Sequence, residues 1–169
     1  MVLLRHELNS LEDLFWDQMK DIYDAEKRIT DALPKMADAA RDPSLKTAFR
    51  EHLEQTRHHV ERLEQIFRSG GKDADRETCE GIKGLLKEGE EILHAKGDDV
   101  TRDAGIISAA QRVEHYEMAV YGTIRNYAQS LGRNEFADLL QRTLDEEGEA
   151  DKKLTKIADG KVNAKAAMH

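Results

Sequence analysis

Hydrophobic residues recur along most of this chain at alternating steps of three and four, the spacing that places them on one side of an α-helix. Four long segments show this pattern, and we predict helices over residues 8–40, 45–68, 102–130 and 134–159. A shorter segment, residues 79–96, is predicted to form a further helix. The predicted buried stripe of the first helix consists of Leu8, Leu11, Phe15, Met19, Ile22, Ile29, Leu33 and Met36. The chain is therefore predicted to be all-α.

Residues that start and stop helices mark the ends of these segments. Ser10 and Asp13 have the spacing of a capping box ahead of the first helix, and Ser44 is the predicted N-cap of the second. Pro34 lies inside the first helix and is predicted to kink its last turns. Gly160 is predicted to end the last helix. We expect a single domain over residues 1–163 and a frayed tail over residues 164–169.

The order of the helices predicts the fold. Glu117 follows Glu26 by 91 positions, and the same offset aligns Leu144 with Leu53. Each half is thus a helical hairpin, and one long connection carrying the short helix joins the two halves. Two hairpins with one long crossover are the arrangement of ferritin-like bundles. The predicted fold is an all-α, ferritin-like antiparallel four-helix bundle with a short crossover helix between helices two and three.

Composition and charge agree with this fold and limit the partners. Of 169 residues, 36% are charged and 5% are aromatic, a profile typical of long helices. The net charge is −8 and no basic cluster with interleaved aromatics occurs, so nucleic acid is not an expected partner. The chain has one cysteine, no signal sequence and no apolar run of the roughly 20 residues that span a bilayer. We therefore expect a cytoplasmic protein that does not enter a membrane.

Polar residues interrupt the buried stripe of every long helix at mid-length. They are Glu26 in helix one, His52, Thr56 and His59 in helix two, Glu114 and Glu117 in helix three, and Glu147 in helix four. Unpaired buried carboxylates are costly, so a positive group must balance them. Few Arg or Lys residues face the same level of the core. A shared cation is therefore the better explanation.

The spacing within the two hairpins indicates which of these groups meet. Glu26 lies level with His59, and Glu114 lies level with Glu147, because each hairpin runs antiparallel. Carboxylates with one or two imidazoles suit iron or manganese, and bundle carboxylate proteins hold two such ions. We predict a dinuclear iron or manganese site formed by these four residues together with Glu117.

Other ionisable residues lie near the stripes. Asp151 is a further candidate ligand. His52 lies two turns from His59 and is expected to take a supporting or structural position rather than bind metal. Glu54 and His58 lie on the outward face of the second helix, where we expect them to form a solvated pair. The sequence alone leaves open whether His52, Glu54 or His58 take part in the site.

Several runs of residues carry a resemblance to a known family. They are Asp24-Ala25-Glu26-Lys27, His52-Leu53-Glu54-Gln55-Thr56, Cys79-Glu80 followed by Gly84, Arg102-Asp103-Ala104-Gly105, Gln111 to Glu117, and Asp145-Glu146-Glu147 with Asp151. The set resembles the YciE/YciF family of ferritin-like bacterial stress proteins over about residues 8–163, most specifically over residues 114–121. The resemblance implies a dimeric ferritin-like bundle with a dinuclear metal centre, expressed in stress responses. It names no reaction.

Two functions remain open after this resemblance. The ferritin-type motif is Glu-x-x-His on helices two and four, whereas this chain has Thr56-x-x-His59 and Glu147-x-x-Ala150. The leading hypothesis is a di-iron or di-manganese protein for iron handling or oxidant chemistry during stress. As an enzyme it would be a metal-dependent oxidoreductase, with Tyr23, Tyr116 or Tyr121 as electron donor or supporting group. Of these three, Tyr121 lies nearest the apolar axis of its helix. The alternative is a non-catalytic, homodimeric structural stress protein with a vestigial metal site or none.

Overall fold

The structure is a computed structural model that describes residues 7–168. In chain order its elements are α1 (Leu11–Ala39), α2 (Pro43–Ser69), α3 (Glu80–Leu93), α4 (Asp99–Ser130), α5 (Asn134–Ile157), a π-helical segment (Ala158–Val162) and α6 (Asn163–Ala166). No strand occurs between residues 7 and 168, so the all-α prediction is confirmed. None of the described helices is both long enough and apolar enough to cross a membrane.

The four long helices form a bundle of two hairpins. α1 packs on α2, α4 packs on α5, and the hairpins meet through α1 against α4 and α2 against α5. The short helix α3 lies in the connection between α2 and α4 and packs against α1 and α4. This is the ferritin-like four-helix bundle with a crossover helix that the sequence predicts.

The start of α1 follows its sequence signal. Ser10 Oγ accepts a hydrogen bond from the backbone N–H of Asp13 at 3.0 Å, and the Asp13 carboxylate accepts from the backbone N–H of Asn9 at 3.2 Å. The bond to Ser10 satisfies an amide that the first helical turn leaves without a partner, and the bond from Asn9 ties the preceding residue to that turn. α1 then continues through Pro34 to Ala39. The predicted capping at Ser10 is confirmed.

The start of α2 differs from the prediction. Asp42, not Ser44, is the N-cap, and its carboxylate accepts from the backbone N–H of Ser44 at 2.8 Å. Pro43 explains the difference, because a proline has no N–H and a φ already suited to the first helical position. The helix therefore begins at Pro43, and the cap precedes it.

Two buried aspartates join segments that are distant in sequence. Asp24 on α1 accepts hydrogen bonds from Arg76 Nε at 2.9 Å and from the backbone N–H of Cys79 at 2.9 Å, which fastens the crossover connection to the first helix. Asp103 on α4 accepts from the backbone N–H groups of Arg41 at 2.9 Å and Asp42 at 2.6 Å, in the turn between α1 and α2. The Asp24 contact fixes the connection on the first hairpin, and the Asp103 contact joins the second hairpin to the first.

The C-terminal end also differs from the prediction. The helix expected to end at Gly160 widens into the π-helical segment and continues as α6 to Ala166. Val162 is only 1% exposed, and both segments pack against α4. Burial of this apolar side chain offsets the cost of a glycine within the helix. The first residues of the expected tail, 164–166, are therefore helical, while His169 lies outside the described residues.

The apolar core surrounds the polar residues at mid-length of the helices. Phe15, Trp16, Phe67 and Phe136 form an aromatic group whose ring centroids lie 5.0 to 6.4 Å apart. Leu8 and Leu11, predicted to be buried, are 50% and 38% exposed, because Leu8 precedes α1 and Leu11 is its first residue, ahead of this group. The remaining predicted positions of the α1 stripe are buried or partly buried.

Candidate metal centre

Four glutamates and two histidines meet in the middle of the bundle. We call them the Glu/His cluster: Glu26 from α1, His52 and His59 from α2, Glu114 and Glu117 from α4, and Glu147 from α5. Four of them are fully buried, while His52 is 6% and Glu114 4% exposed. The structure thus brings together all five of the principal predicted ligands and adds His52.

The cluster divides into two groups that share one residue. Donor atoms of His52, Glu114, Glu117 and Glu147 lie within 4.8 Å of one another, and so do those of Glu26, His59 and Glu147. Glu147 Oε2 lies 3.4 Å from His52 Nε2, and Glu147 Oε1 lies 3.0 Å from His59 Nδ1. Each oxygen of this carboxylate therefore faces one of the two groups, and Glu147 would contribute a ligand atom to both.

Several buried oxygens in the cluster have no hydrogen-bond partner among the described residues. They include both carboxylate oxygens of Glu117, Oε2 of Glu26, Oε2 of Glu114 and the hydroxyl of Thr56. Buried polar atoms are nearly always hydrogen-bonded, and an unpaired buried carboxylate costs several kcal/mol. A cation in the cluster would satisfy these oxygens, and a carboxylate-rich set with imidazole suits iron or manganese. The residues present fit such a centre.

Each histidine is held by a partner outside the cluster. His52 Nδ1 lies 3.2 Å from Gln55 Oε1, and His59 Nε2 lies 2.9 Å from Glu146 Oε2. Because both partner atoms accept hydrogen bonds, the outer ring nitrogen of each histidine carries a proton. The inner nitrogen faces carboxylates, with His52 Nε2 3.3 Å from Glu114 Oε1. Histidines that bind metals are commonly oriented in this way.

The proximity of these groups changes their protonation. Burial raises the pKa of Glu114 and Glu117 well above their usual range, and the neighbouring carboxylates add to the effect. Burial also raises the pKa of Glu147, against the influence of His59. Burial alone would lower the pKa of His59, but the charge of Glu26 and contacts with neighbouring carboxylates raise it to about 12. Without a cation the cluster therefore holds extra protons, which a bound metal must displace.

An ion pair closes the cluster beside His59. Arg62 donates to the two oxygens of Glu146 at 2.7 and 2.8 Å and to Thr143 Oγ1 at 3.1 Å. The hydrogen bond from His59, followed by those from Arg62, lowers the pKa of Glu146 to about 2 despite partial burial. Sequence reasoning missed Glu146 and Arg62, because both lie off the apolar axes of their helices and only the packing of α2 on α5 brings them together.

Tyr121 is the tyrosine that contacts the cluster. Its hydroxyl donates a hydrogen bond to Glu26 Oε1, and its ring is fully buried. Burial, with the charge of Glu26, raises the pKa of Tyr121, so the phenol keeps its proton. Tyr23 and Tyr116 bond to groups outside the cluster. Tyr121 is therefore the nearest of the three, as the sequence indicates.

Three residues considered from the sequence lie apart from the cluster. Asp151 belongs to neither group; its carboxylate lies 3.2 Å from His115 Nε2 and accepts from Gln111 Nε2 at 3.1 Å. It lies one turn beyond Glu147, toward the outer edge of the contact between α4 and α5. Glu54 and His58 are exposed, as predicted, but each contacts a different neighbour on α2 rather than the other.

His52 differs from the prediction that placed it outside the ligand set. It lies two turns before His59, yet its ring reaches Glu114 and Glu147. His52 and Ala150 line the same small cavity between α2 and α5. The sequence contains a hint of this position. Helix two carries a second histidine, His52, whereas the ferritin-type motif of helix four has Ala150 in place of its histidine.

Comparison with known proteins gives matches over nearly the whole chain. The model of a family described as a domain of unknown function, DUF892, matches residues 10–167. Protein YciF of Escherichia coli (strain K12) is 41% identical over 160 residues, which cover 94% of this chain and 96% of that protein. The crystal structure of the E. coli stress protein YciF matches with a TM-score of 0.88, covering 92% of this chain and 98% of the other.

Two further structures share the fold. YcfI from Rhodopseudomonas palustris, described provisionally as a structural protein, is 38% identical with a TM-score of 0.88, covering 92% of this chain and 99% of its own. A protein from Xanthomonas campestris pv. campestris is 21% identical with a TM-score of 0.72, covering 91% of this chain and 94% of its own. At that identity the second match supports the fold alone.

Proposed function

This chain belongs to the DUF892 family, as its resemblance to YciE/YciF proteins indicates, and from that membership we propose a ferritin-like stress protein that binds two iron or manganese ions in the Glu/His cluster. One observation carries the proposal: four buried glutamates face one another with oxygens that no described residue satisfies. The inner nitrogens of two histidines, held by Gln55 and Glu146, face the same space.

The charge of the cluster supports two divalent ions. Four ionised carboxylates carry four negative charges, and histidines that bind metal through a ring nitrogen are neutral. Two divalent cations balance this charge, whereas with one cation protons would have to neutralise the remaining two carboxylates. The position of Glu147 between the two groups favours the same number.

The surrounding residues suit a metal that exchanges electrons. Bound iron or manganese would supply redox chemistry and Lewis acidity. Tyr121 keeps its proton and fixes the Glu26 carboxylate through a hydrogen bond, while Gln55 and Glu146 hold the imidazoles in place. The apolar core around most of the cluster limits its contact with bulk water. These features support iron handling or oxidant chemistry during stress as the purpose of the site.

Metal analysis tests this proposal. The protein would be purified without chelator, loaded anaerobically with Fe(II) or Mn(II), and measured by elemental analysis and calorimetry. We expect about two ions per chain, as in other bundle carboxylate proteins, and a higher melting temperature. An absorbance change on mixing the Fe(II) form with oxygen or peroxide would indicate oxidant chemistry. No bound transition metal after loading, with an unchanged melting temperature, would refute the proposal.

The second candidate is a non-catalytic stress protein whose role is structural. The provisional description of YcfI as a structural protein favours it. The crossover helix also carries Leu86 and Leu93, which are only partly buried and could serve association. The homodimer expected from the sequence is common to both candidates and stays a prediction that analytical ultracentrifugation can test.

A further inference from the structure

The two ends of the Glu/His cluster are closed in different ways. Beside His59, the Arg62–Glu146 pair and its bond to Thr143 fill the gap between α2 and α5. Beside His52, the same two helices leave a cavity of about 100 Å³. A water molecule occupies about 30 Å³ in the liquid, so this cavity holds a few small polar molecules.

The exposure of the cluster shows the same asymmetry. Glu26, His59, Glu117 and Glu147 are fully buried, and only His52 and Glu114 retain any exposure within the cluster. Both of these residues line the cavity, together with Gln55, which holds the His52 ring. The cavity therefore reaches two residues of the cluster, His52 and Glu114, from outside.

The mouth of the cavity is polar and can open. Glu51 and Lys153 form an ion pair between α2 and α5, and their side chains are 58% and 48% exposed. Exposed pairs of this kind are weak, so the contact breaks readily. Glu149 also lines the cavity, and the small side chain of Ala150 forms part of its wall. Carboxylates thus occur at the mouth and, as Glu114, at the inner end.

We propose that this cavity is the route by which small polar solutes, a divalent cation first among them, enter and leave the Glu/His cluster, with Ala150 setting its width. The proposal rests on the proposed function, because cation entry matters only where a cation binds. When their exposed ion pairs with Lys153 and Lys152 open, Glu51 and Glu149 attract a hydrated cation to the mouth, and Glu114 with His52 then replaces its water molecules. The opposite end offers no such sequence of ligands, since Arg62 covers it.

Uptake kinetics test the route. Co(II), which absorbs visible light when bound to nitrogen and oxygen ligands, serves as the probe in stopped-flow measurements, and removal is followed with EDTA. In Ala150→Leu the larger side chain narrows the cavity without changing a ligand. We expect the rates of uptake and of removal to fall together by about tenfold with the dissociation constant unchanged. Ala119→Leu, an exposed alanine on α4 outside the cavity, is the matched control and should keep both rates.

A second measurement does not require metal. Diethyl pyrocarbonate modifies accessible imidazoles, and mass spectrometry locates the products. We expect Ala150→Leu to slow modification of His52 while leaving the exposed His58 unaffected. Should Ala150→Leu fail to fold by circular dichroism, Ala48→Leu narrows the same cavity from α2.

The outcomes separate the two proposals. Unchanged uptake and unchanged His52 modification in the narrowed variant would overturn the route, as would a changed dissociation constant with unchanged uptake. If the natural chain takes up no Co(II), the metal-binding function fails, whereas protection of His52 by the substitution still establishes solute access through the cavity.

Discussion

Replacing Glu117 by leucine should stabilise the metal-free protein and destabilise the loaded protein relative to the natural chain. Glu117 is fully buried, and neither of its carboxylate oxygens has a hydrogen-bond partner among the described residues. Leucine has a similar size, so Glu117→Leu removes a polar group from the core without leaving a large cavity. The variant therefore isolates the cost of the carboxyl group.

The expected magnitude follows from the burial of this group. Exchange of buried charged groups for apolar side chains of similar volume stabilises proteins by up to about 1–4 kcal/mol. For a chain of this length each kcal/mol raises the melting temperature by about 2–4 °C. At a free ion concentration of a hundred times the dissociation constant, binding stabilises the natural chain by about 2.7 kcal/mol. The variant lacks the Glu117 ligand and should lose most of this stabilisation.

The difference in stability between the variant and the natural chain should also depend on pH. Burial raises the pKa of Glu117 in the folded state above its ordinary value of 4.5. Such a group contributes stability below its unfolded pKa and loses it as pH rises toward the folded pKa. The advantage of metal-free Glu117→Leu should therefore grow as pH rises above about 4.5.

Urea denaturation followed by circular dichroism, with and without Mn(II), measures these differences. Glu54→Leu, at an exposed glutamate on α2, is the control and should change stability by less than about 0.5 kcal/mol. If metal-free Glu117→Leu were less stable than the natural chain, a structural ion pair would hold the carboxylate and our reasoning would be wrong. Equal stabilisation of both proteins by Mn(II) would also contradict it.

Three further predictions concern other parts of the molecule. Burial raises the pKa of Asp24, but hydrogen bonds from two arginines and a backbone amide lower it overall. Asp24→Asn should therefore lower the free energy of unfolding by about 1–3 kcal/mol near neutral pH. In denaturation measurements this difference should disappear as pH falls through the pKa of Asp24 in the folded protein. His52→Ala should weaken cation binding about 10- to 100-fold by calorimetry, and His58→Ala should leave it unchanged. Gly81→Ala places a Cβ 2.7 Å from the ring of Tyr116 on α4 and should lower the free energy of unfolding by about 1–3 kcal/mol. A Cβ at Gly84 meets no atom within 4 Å, so Gly84→Ala should not lower the free energy of unfolding.

The fold could be predicted because its signals are local. The steps of three and four, the capping residues at Ser10 and the offset that relates Glu26 to Glu117 together predict two hairpins and a crossover. The exceptions arise from tertiary packing. Burial of Val162 against α4 extends the last helix past Gly160, and no local signal reports that contact.

The candidate site could be predicted where each ligand lies on the apolar axis of its own helix. Glu26, Glu114, Glu117 and Glu147 interrupt such stripes, and hydrophobic periodicity identifies them. His52 lies at the edge of the apolar stripe of α2, and its contacts with Glu114 and Glu147 place it in the cluster. Glu146 lies off the axis of α5, and only its partners on α2 reveal its position.

The contact of Asp103 with the turn between α1 and α2 has a consequence for how the chain folds. Its carboxylate accepts from amides 61 and 62 residues earlier in the chain, so the turn of the first hairpin is completed only when the second hairpin docks. Contacts of such long separation make the two hairpins one cooperative unit rather than two independently folding ones. Hydrogen exchange at the amides of Arg41 and Asp42 should accordingly proceed through global unfolding, although both lie in a short surface turn.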